Sequence, residues 1–364
     1  MKPIAQLFFV LLFISRTFAV PVEVKKDSRV VLVGNGLGAR MIHYGHFETE
    51  MHQRYPLHRL IIRNMCDEGN TPGFRPHSAR NNPWAFPGAE KLRTLETSRD
   101  RWGSGNVGNG HYKTSDEWLK TLKPDLVVAF FGYGESFSGV RDLTAFRAEL
   151  EGFVKHTLST KYNGRKAPNL ALVSPIAFQD LSAIYGTPNG VDENIDLALY
   201  TSVMKEIASN HKVHFVNLFS PTLAWFESSA KPLTRDGALL TGEGYAKLSP
   251  LLADRLFGKV KPFSTPDLFR LKKSVEEKNW LWLNYYKIPN GVHVFGRRHN
   301  PFGPKNYPAE LQKLAQMMSV RDQGVWAALA DEPFDMAACD AKTDVLPNMG
   351  PNRAKYLSID DATK

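Results

Sequence analysis

Residues 29–41 read RVVLVGNGLGARM, and this stretch decides the fold. Its first part, Val30–Val33, is apolar and rich in β-branched residues, as is typical of a strand buried on both faces. Three glycines follow at once, and a helix-like stretch begins near Leu37. A buried strand, a glycine turn and a helix form the corner of an open α/β sheet, where ligands bind outside the carboxyl ends of the strands.

The same alternation of strand and helix patterns continues along the chain. Further strand patterns are His58–Asn64, Asp125–Phe131, Asn169–Val173 and His214–Leu218. Helix patterns are Leu37–Tyr55, a short helix through Leu122 behind a capping box at Thr114, Leu143–Leu158, a stretch that Asp192 would cap, and Gly242–Phe257. This order predicts an α/β fold with a doubly wound, flavodoxin-like parallel sheet and helices on both faces. Residues 65–113 are loop-rich, and so long a loop is usually functional or disordered.

The two ends of the chain lack this alternation of strand and helix patterns. Residues 1–19 are predicted to be a secretory signal, with Lys2 before a short apolar core and cleavage after Ala19. The apolar run is too short for a comfortable membrane anchor, so we expect an exported protein, periplasmic or extracellular, with no stable membrane insertion after signal removal. The remaining boundaries are residues 28–257 for the main domain, 258–331 for an appended, mostly helical segment with one helix near Pro308–Met318, and 332–364 for a mobile tail.

Charge and cysteine content narrow the classes of partner. The formal net charge is +9, and removal of residues 1–19, which hold Lys2, Arg16 and no acid, leaves +7. That balance suits an anionic partner, such as an acidic glycan or a membrane surface, or simply a well-solvated basic surface. No basic block is interleaved with aromatic residues, so we expect no nucleic-acid binding. The sequence leaves open whether its two cysteines, Cys66 and Cys339, form a disulfide.

No cofactor or metal is expected. The motif Gly34-x-Gly36-x-x-Ala39 has the form of a dinucleotide-binding turn. Such a site needs an acid at the end of the second strand, where this chain has Arg63-Asn64. His43 and His46 lie three residues apart but have no third ligand at a known spacing.

Four blocks, taken in chain order, resemble those of the SGNH (GDSL) hydrolase family. They are Val33–Leu37, Arg63-Asn64 with Glu68–Thr71, Gly132–Glu135, and Asp236–Tyr245. The third block continues into Ser-Phe, which is similar to an exported bacterial branch of the family whose modules are often fused to redox or haem-binding domains. The resemblance covers about residues 28–257 and implies the lineage of an ester hydrolase.

The resemblance also implies that the inherited chemistry is lost. In the family, a serine attacks the ester, a histidine three residues after an aspartate takes the proton, and a glycine amide and an asparagine help to hold the oxyanion. The matching positions here are Gly36 for the serine, Leu239 for the histidine, Gly134 for the asparagine, Gly69 for the glycine and Asp236 for the aspartate. The acid of the first block is replaced by Asn35. Loss of the nucleophile or the base alone costs about a millionfold in turnover.

Three functions remain open at this stage. The first is a non-catalytic binding or scaffold protein for a glycan or acylated sugar, with candidate ligand contacts at Asn35, Gly36, Gly69, Arg75, Gly134 and Ser136. The second is an ester or carbohydrate-ester hydrolase whose chemistry has moved to Glu135 and Asp236. The third is an interaction module. A cleft lined by Asn35, Glu135 and Asp236 would favour the first two functions, and a cleft filled by the 65–113 loop would favour the third.

Each candidate residue also has a purely structural interpretation. Ser136 is more often a loop hydroxyl that bonds backbone, and Glu135 could cap the helix that follows it. The structural alternative for Asp236 is that it only braces its own turn, and Arg75 is an ordinary loop charge unless it points into the cleft.

Overall fold

The fold is described from a computed structural model. The structure describes residues 21–77, 80–93, 110–229, 231–288, 291–296, 299–305 and 307–346. The predicted signal sequence and residues 347–364 of the predicted tail lie outside these ranges.

One parallel sheet organises the described part of the chain. Its strands are β1 (Arg29–Gly34), β2 (Ile61–Asn64), β3 (Leu126–Phe130), β4 (Asn169–Val173) and β5 (His214–Val216). The spatial order is β2-β1-β3-β4-β5, and every neighbouring pair is parallel. In the central pair, Gly34 is in register with Phe130. The residues that follow β1 and β3 therefore emerge side by side at one edge of the sheet.

The described ranges also form helices, several of which flank this sheet. In chain order they are α1 (Gly36–Met41), α2 (His46–Arg54), α3 (Ser115–Leu122), α4 (Tyr133–Ser136), α5 (Leu143–Ser159), α6 (Ser182–Tyr185), α7 (Val191–Asn210), α8 (Phe219–Ser228), α9 (Gly242–Phe257), α10 (Leu268–Tyr286), α11 (Gly291–Val294), α12 (His299–Lys305), α13 (Tyr307–Ala330) and α14 (Met336–Asp340). Ala89–Lys91 and Gly139–Asp142 are single 3₁₀ turns. No helix in the described ranges is long and apolar enough to cross a membrane.

The two faces of the sheet pack against different helices. Because side chains alternate along a strand, Val31 and Val33 of β1 face one core while Val30 and Leu32 face the other. The first core contains residues of α3, α5, α7 and α10, and the second contains residues of α2 and α9. The predicted α/β class, with a parallel sheet flanked by helices, is confirmed.

The prediction of one helix over Leu37–Tyr55 was wrong. The chain forms α1 and α2 instead, separated by a turn that ends at Gly45 with a left-handed φ of 63°. The second strand is also shorter than predicted. Arg59 has a φ of 49°, which is outside the strand region, so the strand cannot begin at His58.

Two further boundaries differ from the predictions. The last strand ends at Val216, because the Leu218 amide donates to the Ser174 hydroxyl at 2.8 Å rather than to a strand. The N-cap of α7 is Gly190, with a φ of 82°, so Asp192 lies within the first turn and does not cap the helix. The capping box at Thr114 is confirmed, since Thr114 and Glu117 each bond the other's backbone amide.

The segment after residue 258 contains more helix than the single one predicted near Pro308–Met318. That helix extends over Tyr307–Ala330, and it packs on α10, which the sequence pattern did not reveal. On α10, the buried Lys278 ammonium lies 2.6 Å from Glu48 Oε1 on α2. Burial raises the pKa of Glu48, but the Lys278 charge and His52 outweigh it and lower this pKa to about 2. The appended segment is thus joined to the main domain by a buried ion pair.

Candidate functional site

The carboxyl edge of the two central strands carries a buried pair of polar side chains. Asn35 directly follows β1, and its backbone amide donates to the backbone carbonyl of Phe130 at 2.9 Å. Glu135 lies on the short helix α4 that follows β3. The Asn35 side chain donates from Nδ2 to Glu135 Oε2 at 3.0 Å, and the Gly132 amide donates to the same oxygen at 2.9 Å. Glu135 therefore caps its own helix while it binds the turn after β1.

The environment of Glu135 favours its neutral form. Glu135 is only 4% exposed, and this burial is the main reason that its pKa rises to about 7. The nearby Glu149 charge raises it further, while the backbone hydrogen bonds and Arg93 oppose the shift. Within the described part of the chain, Glu135 Oε1 has no hydrogen-bond partner. A carboxyl group with this pKa could give or take a proton near neutral pH.

A group of buried charges lies behind Glu135. Glu149 is fully buried, and Arg93 bridges it to Asp142. Arg93 Nε lies 2.8 Å from Glu149 Oε1, and Arg93 Nη2 lies 2.7 Å from Asp142 Oδ2. The Arg75 guanidinium lies 4.8 Å from the centre of the Phe131 ring and donates to the Thr71 carbonyl. Burial lowers the pKa of Arg75 to about 10. Arg75 therefore packs against the sheet and does not line the cavity described below.

The glycines of this edge fall into two kinds. Gly34 has a φ of 128°, and a Cβ there would lie 2.0 Å from the Phe130 carbonyl oxygen, so the close approach of β1 and β3 requires glycine. Gly36 and Gly134 differ, because a Cβ at either position would meet no other atom within 4 Å. Gly69 is also open on its Cβ side, with a φ of 80°. A side chain at residue 36 or 134 would thus have room.

A small cavity of about 20 Å³ opens at this edge. Its lining is mostly apolar and consists of Asn35, Gly36, Leu37, Phe130, Phe131, Tyr133, Ser174, Pro175, Ile176, Ala238, Leu239 and Tyr245. One water needs about 10–15 Å³ of such volume, so the cavity has room for a group the size of a water or a methyl. None of the described residues of the 65–113 loop lines it.

Sequence reasoning missed several residues of this lining. Ser174 and Pro175 follow β4, and the rule that ligands bind at the carboxyl ends of strands would have pointed to them. Tyr133 lies between the two glycines of the third block. Tyr245 faces the cavity from α9, and its hydroxyl donates to the Leu37 carbonyl at 2.9 Å. Tyr245 ends the fourth sequence block, but that block assigned it no role, and only the packing of α9 on the sheet brings it here.

Asp236 and Ser136 mainly bond nearby backbone. Asp236 Oδ1 accepts from the amides of Ala238 at 3.0 Å and Leu239 at 2.8 Å, so this carboxylate braces its own turn. The Ser136 hydroxyl donates to the Tyr133 carbonyl at 2.7 Å. Ser136 lines a separate hollow of about 120 Å³ beside Phe137 and three acids of α7. The cavity thus gathers Asn35, Gly36 and Leu239 directly, with Glu135 bonded behind Asn35.

Metal and thiol chemistry find little support in the described ranges. No group of three His, Cys, Asp or Glu residues is placed there to hold a metal ion. Burial lowers the pKa values of His43 and His46, which favours their neutral forms. Cys66 is buried, burial raises the pKa of its thiol, and both it and Cys339 are unpaired. A buried, protonated thiol is a poor nucleophile.

Comparison with known proteins gives similarity in structure alone. No protein-family model matches this chain, and no curated protein sequence matches it. The chain is similar to a candidate GDSL-like lipase from Parabacteroides merdae, with 13% identity, a TM-score of 0.45, and coverage of 65% of this chain and 99% of that one. It is similar to an acetylxylan esterase from Geobacillus stearothermophilus, with 14% identity, a TM-score of 0.43, and coverage of 65% and 96%.

A third similar structure is an alpha/beta hydrolase from the metagenome of Lake Arreo, Spain. The identity is 14%, the TM-score is 0.42, and the coverage is 64% of this chain and 96% of that one. At TM-scores of 0.42–0.45 and identities of 13–14%, these likenesses say nothing of what the chain does. What this chain does has to be argued from its own site.

Proposed function

We propose that this chain is a non-catalytic binding or scaffold protein on a hydrolase-like, doubly wound α/β fold. The observation that carries the proposal is the open space at Gly36. The family resemblance assigns this position to the nucleophile, yet the residue has no side chain, lines the cavity, and would place a Cβ at least 4 Å from any other atom. The strand order β2-β1-β3-β4-β5 supports the doubly wound, flavodoxin-like arrangement.

The surrounding residues support the loss of the inherited mechanism. Gly134 offers no side-chain amide donor for an oxyanion, and Leu239, which lines the cavity, cannot accept a proton. Removal of the nucleophile and the base together lowers turnover by about a millionfold, so only a residual effect of binding would remain. Three coincident replacements at one edge favour a binding role over a variant mechanism.

The ligand proposed for this edge is a glycan or acylated sugar that inserts the tip of an acyl group. The cavity of about 20 Å³ is too small for a sugar ring but matches a methyl group in size. Its mostly apolar lining suits that methyl group, and the Asn35 side chain adds a polar contact at the wall. The ring itself would lie outside the cavity, on the surface formed by the surrounding loops.

We further propose that the protein is exported to the periplasm or the cell exterior. Support comes from the pattern of residues 1–19, with its basic start, short apolar core and small residues at the cleavage position. A glycan or acylated sugar would be available in such a compartment.

A second candidate function is ester hydrolysis by relocated residues. The observation that favours it is Glu135, whose pKa of about 7 and unpartnered Oε1 suit general acid–base work. Against it, Glu135 Oε2 is held by Asn35 and Gly132, and Asp236 is held by its own turn. We therefore rank this function second.

Calorimetric titration tests the binding proposal with methyl 6-O-acetylglucoside and, as its matched control, methyl glucoside. We expect only the acetylated sugar to bind. Gly36→Leu should abolish binding by filling the cavity, while Gly36→Ala should retain it, since an added methyl group has open space. Equal binding of both sugars, binding that survives Gly36→Leu, or no binding by the native protein would overturn the proposed ligand.

A further inference from the structure

A second cleft lies at the opposite edge of the sheet, where the strands begin. Its volume is about 510 Å³, which is within the usual range for ligand sites. Arg29, Leu126 and Asn169, the first residues of β1, β3 and β4, line it. The cavity near Gly36 lies at the other ends of these strands, so the two sites do not share a residue.

The side chains of this cleft are strongly basic. Its cations are Lys25, Lys26, Arg29, Lys123, Arg165 and Lys166, and its acids are Glu23, Asp27 and Asp125, which leaves an excess of three positive charges. The Lys25–Glu23 pair is 3.5 Å long and both side chains are more than two-thirds exposed, so it neutralises little. Within the described ranges, Lys26, Lys123, Arg165 and Lys166 form no ion pair.

A chain of hydrogen bonds fixes the shape of the cleft. The Asp125 carboxylate accepts from the Arg29 amide at 3.0 Å and from Asn163 Nδ2 at 3.3 Å. The Asn163 side-chain oxygen in turn accepts from the amides of Arg165 at 2.9 Å and Lys166 at 3.0 Å. Asp125 is therefore occupied by neutral donors, and the turn that carries Arg165 and Lys166 is held at the rim. These bonds fix the backbone of the rim, while the Arg165 and Lys166 side chains are exposed to solvent.

We propose that this cleft binds an acidic polysaccharide, with the unpaired cations facing its carboxylate or sulfate groups. A concave surface accepts an extended polymer, whereas a flat bilayer could not enter it. Its lining contains no aromatic side chain on which nucleic-acid bases could stack, which disfavours single-stranded nucleic acid. The inference is independent of any function at the Gly36 cavity.

Fluorescence anisotropy tests this proposal with the purified protein and a labelled heparin hexasaccharide, a labelled trigalacturonate, a labelled twelve-residue thymidine oligonucleotide and vesicles that contain phosphatidylserine. We expect at least one of the two glycans to bind more tightly than the oligonucleotide and the vesicles, with an affinity that falls as salt rises. The better of the two glycans indicates whether sulfate or carboxylate is preferred. Tighter binding of the oligonucleotide or the vesicles would overturn the proposal.

A matched pair of charge reversals localises the site. Lys26→Glu/Lys166→Glu changes two cations of the cleft, and Lys205→Glu/Lys261→Glu changes two exposed cations elsewhere by the same total charge. The first pair should weaken glycan binding about tenfold or more and the second less than about twofold. An equal loss in both pairs, no loss in the first pair, or no glycan binding at low salt would overturn the proposal. Circular dichroism of each variant confirms that it is folded.

Discussion

The side chain of Asn35 donates a hydrogen bond of 3.0 Å to Glu135, a residue one hundred positions later in the chain. Both residues are 4% exposed, and they join the turn after β1 to the turn after β3. Glu135 Oε2 also accepts from the Gly132 backbone amide at 2.9 Å, and Glu135 does not line the cavity beside it. The carboxyl group of Glu135, which the sequence suggested as a candidate catalytic group, therefore helps to hold the two turns together.

The pH dependence of stability should reveal Glu135. Its pKa rises from 4.5 to about 7 on folding, so the unfolded chain releases this proton first as pH rises. The native state then loses stability between about pH 4.5 and pH 7, by about 3 kcal/mol for this group alone. Glu135→Gln has no proton to lose, so its free energy of unfolding should lack this part of the decline. Urea unfolding at pH 5 and pH 8 measures the difference.

A control variant and a contradicting outcome complete this test of Glu135. Asp142 is an acid of the same cluster whose carboxylate pairs with Arg93, and Asp142→Asn serves as the control that removes a different acid. A decline with pH in Glu135→Gln that is as steep as in the native protein would mean that folding does not raise the pKa of Glu135, which would contradict this prediction.

A second carboxylate beside Glu135 should lower the free energy of unfolding most when both carboxylates are ionised. Asn35→Asp replaces the donor with an acceptor, so at pH 8 two buried carboxylates would face each other. We expect a loss of about 3 kcal/mol or more in the free energy of unfolding at pH 8, and a smaller loss at pH 5, where a proton can be shared. Thermal melts at the two pH values check this, and an equal loss at both would contradict it.

Much of this arrangement was predictable from the sequence. The strand Val30–Val33, the glycine turn and the block at Gly132–Glu135 predicted that two strand ends carry the site, and the parallel sheet brings them together. The bond between Asn35 and Glu135 was not predictable. It depends on the register of β1 against β3, which places Gly34 beside Phe130, and no local pattern specifies that register.

The two glycines of the first turn should respond differently to substitution. A Cβ at Gly34 would lie 2.0 Å from the Phe130 carbonyl, at a φ of 128° that disfavours any other residue. Gly34→Ala should therefore cost about 3 kcal/mol or more. Gly36→Ala should change stability by less than about 1 kcal/mol and in the favourable direction, because alanine restricts the unfolded chain. Denaturant unfolding of both variants checks this, and similar losses would contradict the structure of the turn.

Lys278 is one of the residues that link the appended helices to the main domain. Lys278→Met would leave Glu48 buried without its partner, and we expect a loss of about 3–5 kcal/mol. The double variant Lys278→Met/Glu48→Leu should recover much of that loss, since neither charge then remains. Lys273→Met is the control on the same helix, where the side chain is 63% exposed, and it should change stability by less than about 0.5 kcal/mol. A double variant no more stable than Lys278→Met would contradict a dominant role for this pair.

The appended segment also shows where sequence reasoning fails. The helix α10 was missed although it is 19 residues long, because its buried face includes Lys278 and Asn279, which a search for apolar periodicity counts as polar. Their burial depends on Glu48, which lies more than two hundred residues earlier. Trp282 and Tyr286 also have partners far away in the sequence, since they pack against Trp118 of α3 in the core of the main domain. Such long-range partners cannot be inferred from one segment.

Turnover of p-nitrophenyl acetate by the purified protein tests the central claim most directly. It is measured beside Glu135→Gln and Asp236→Ala, with the fold of each confirmed by circular dichroism. A site without a nucleophile or a base predicts a rate no higher than that of buffer for all three proteins. A rate well above buffer that increases with native protein concentration would contradict the claim. Its loss in folded Glu135→Gln would assign the chemistry to that carboxyl group.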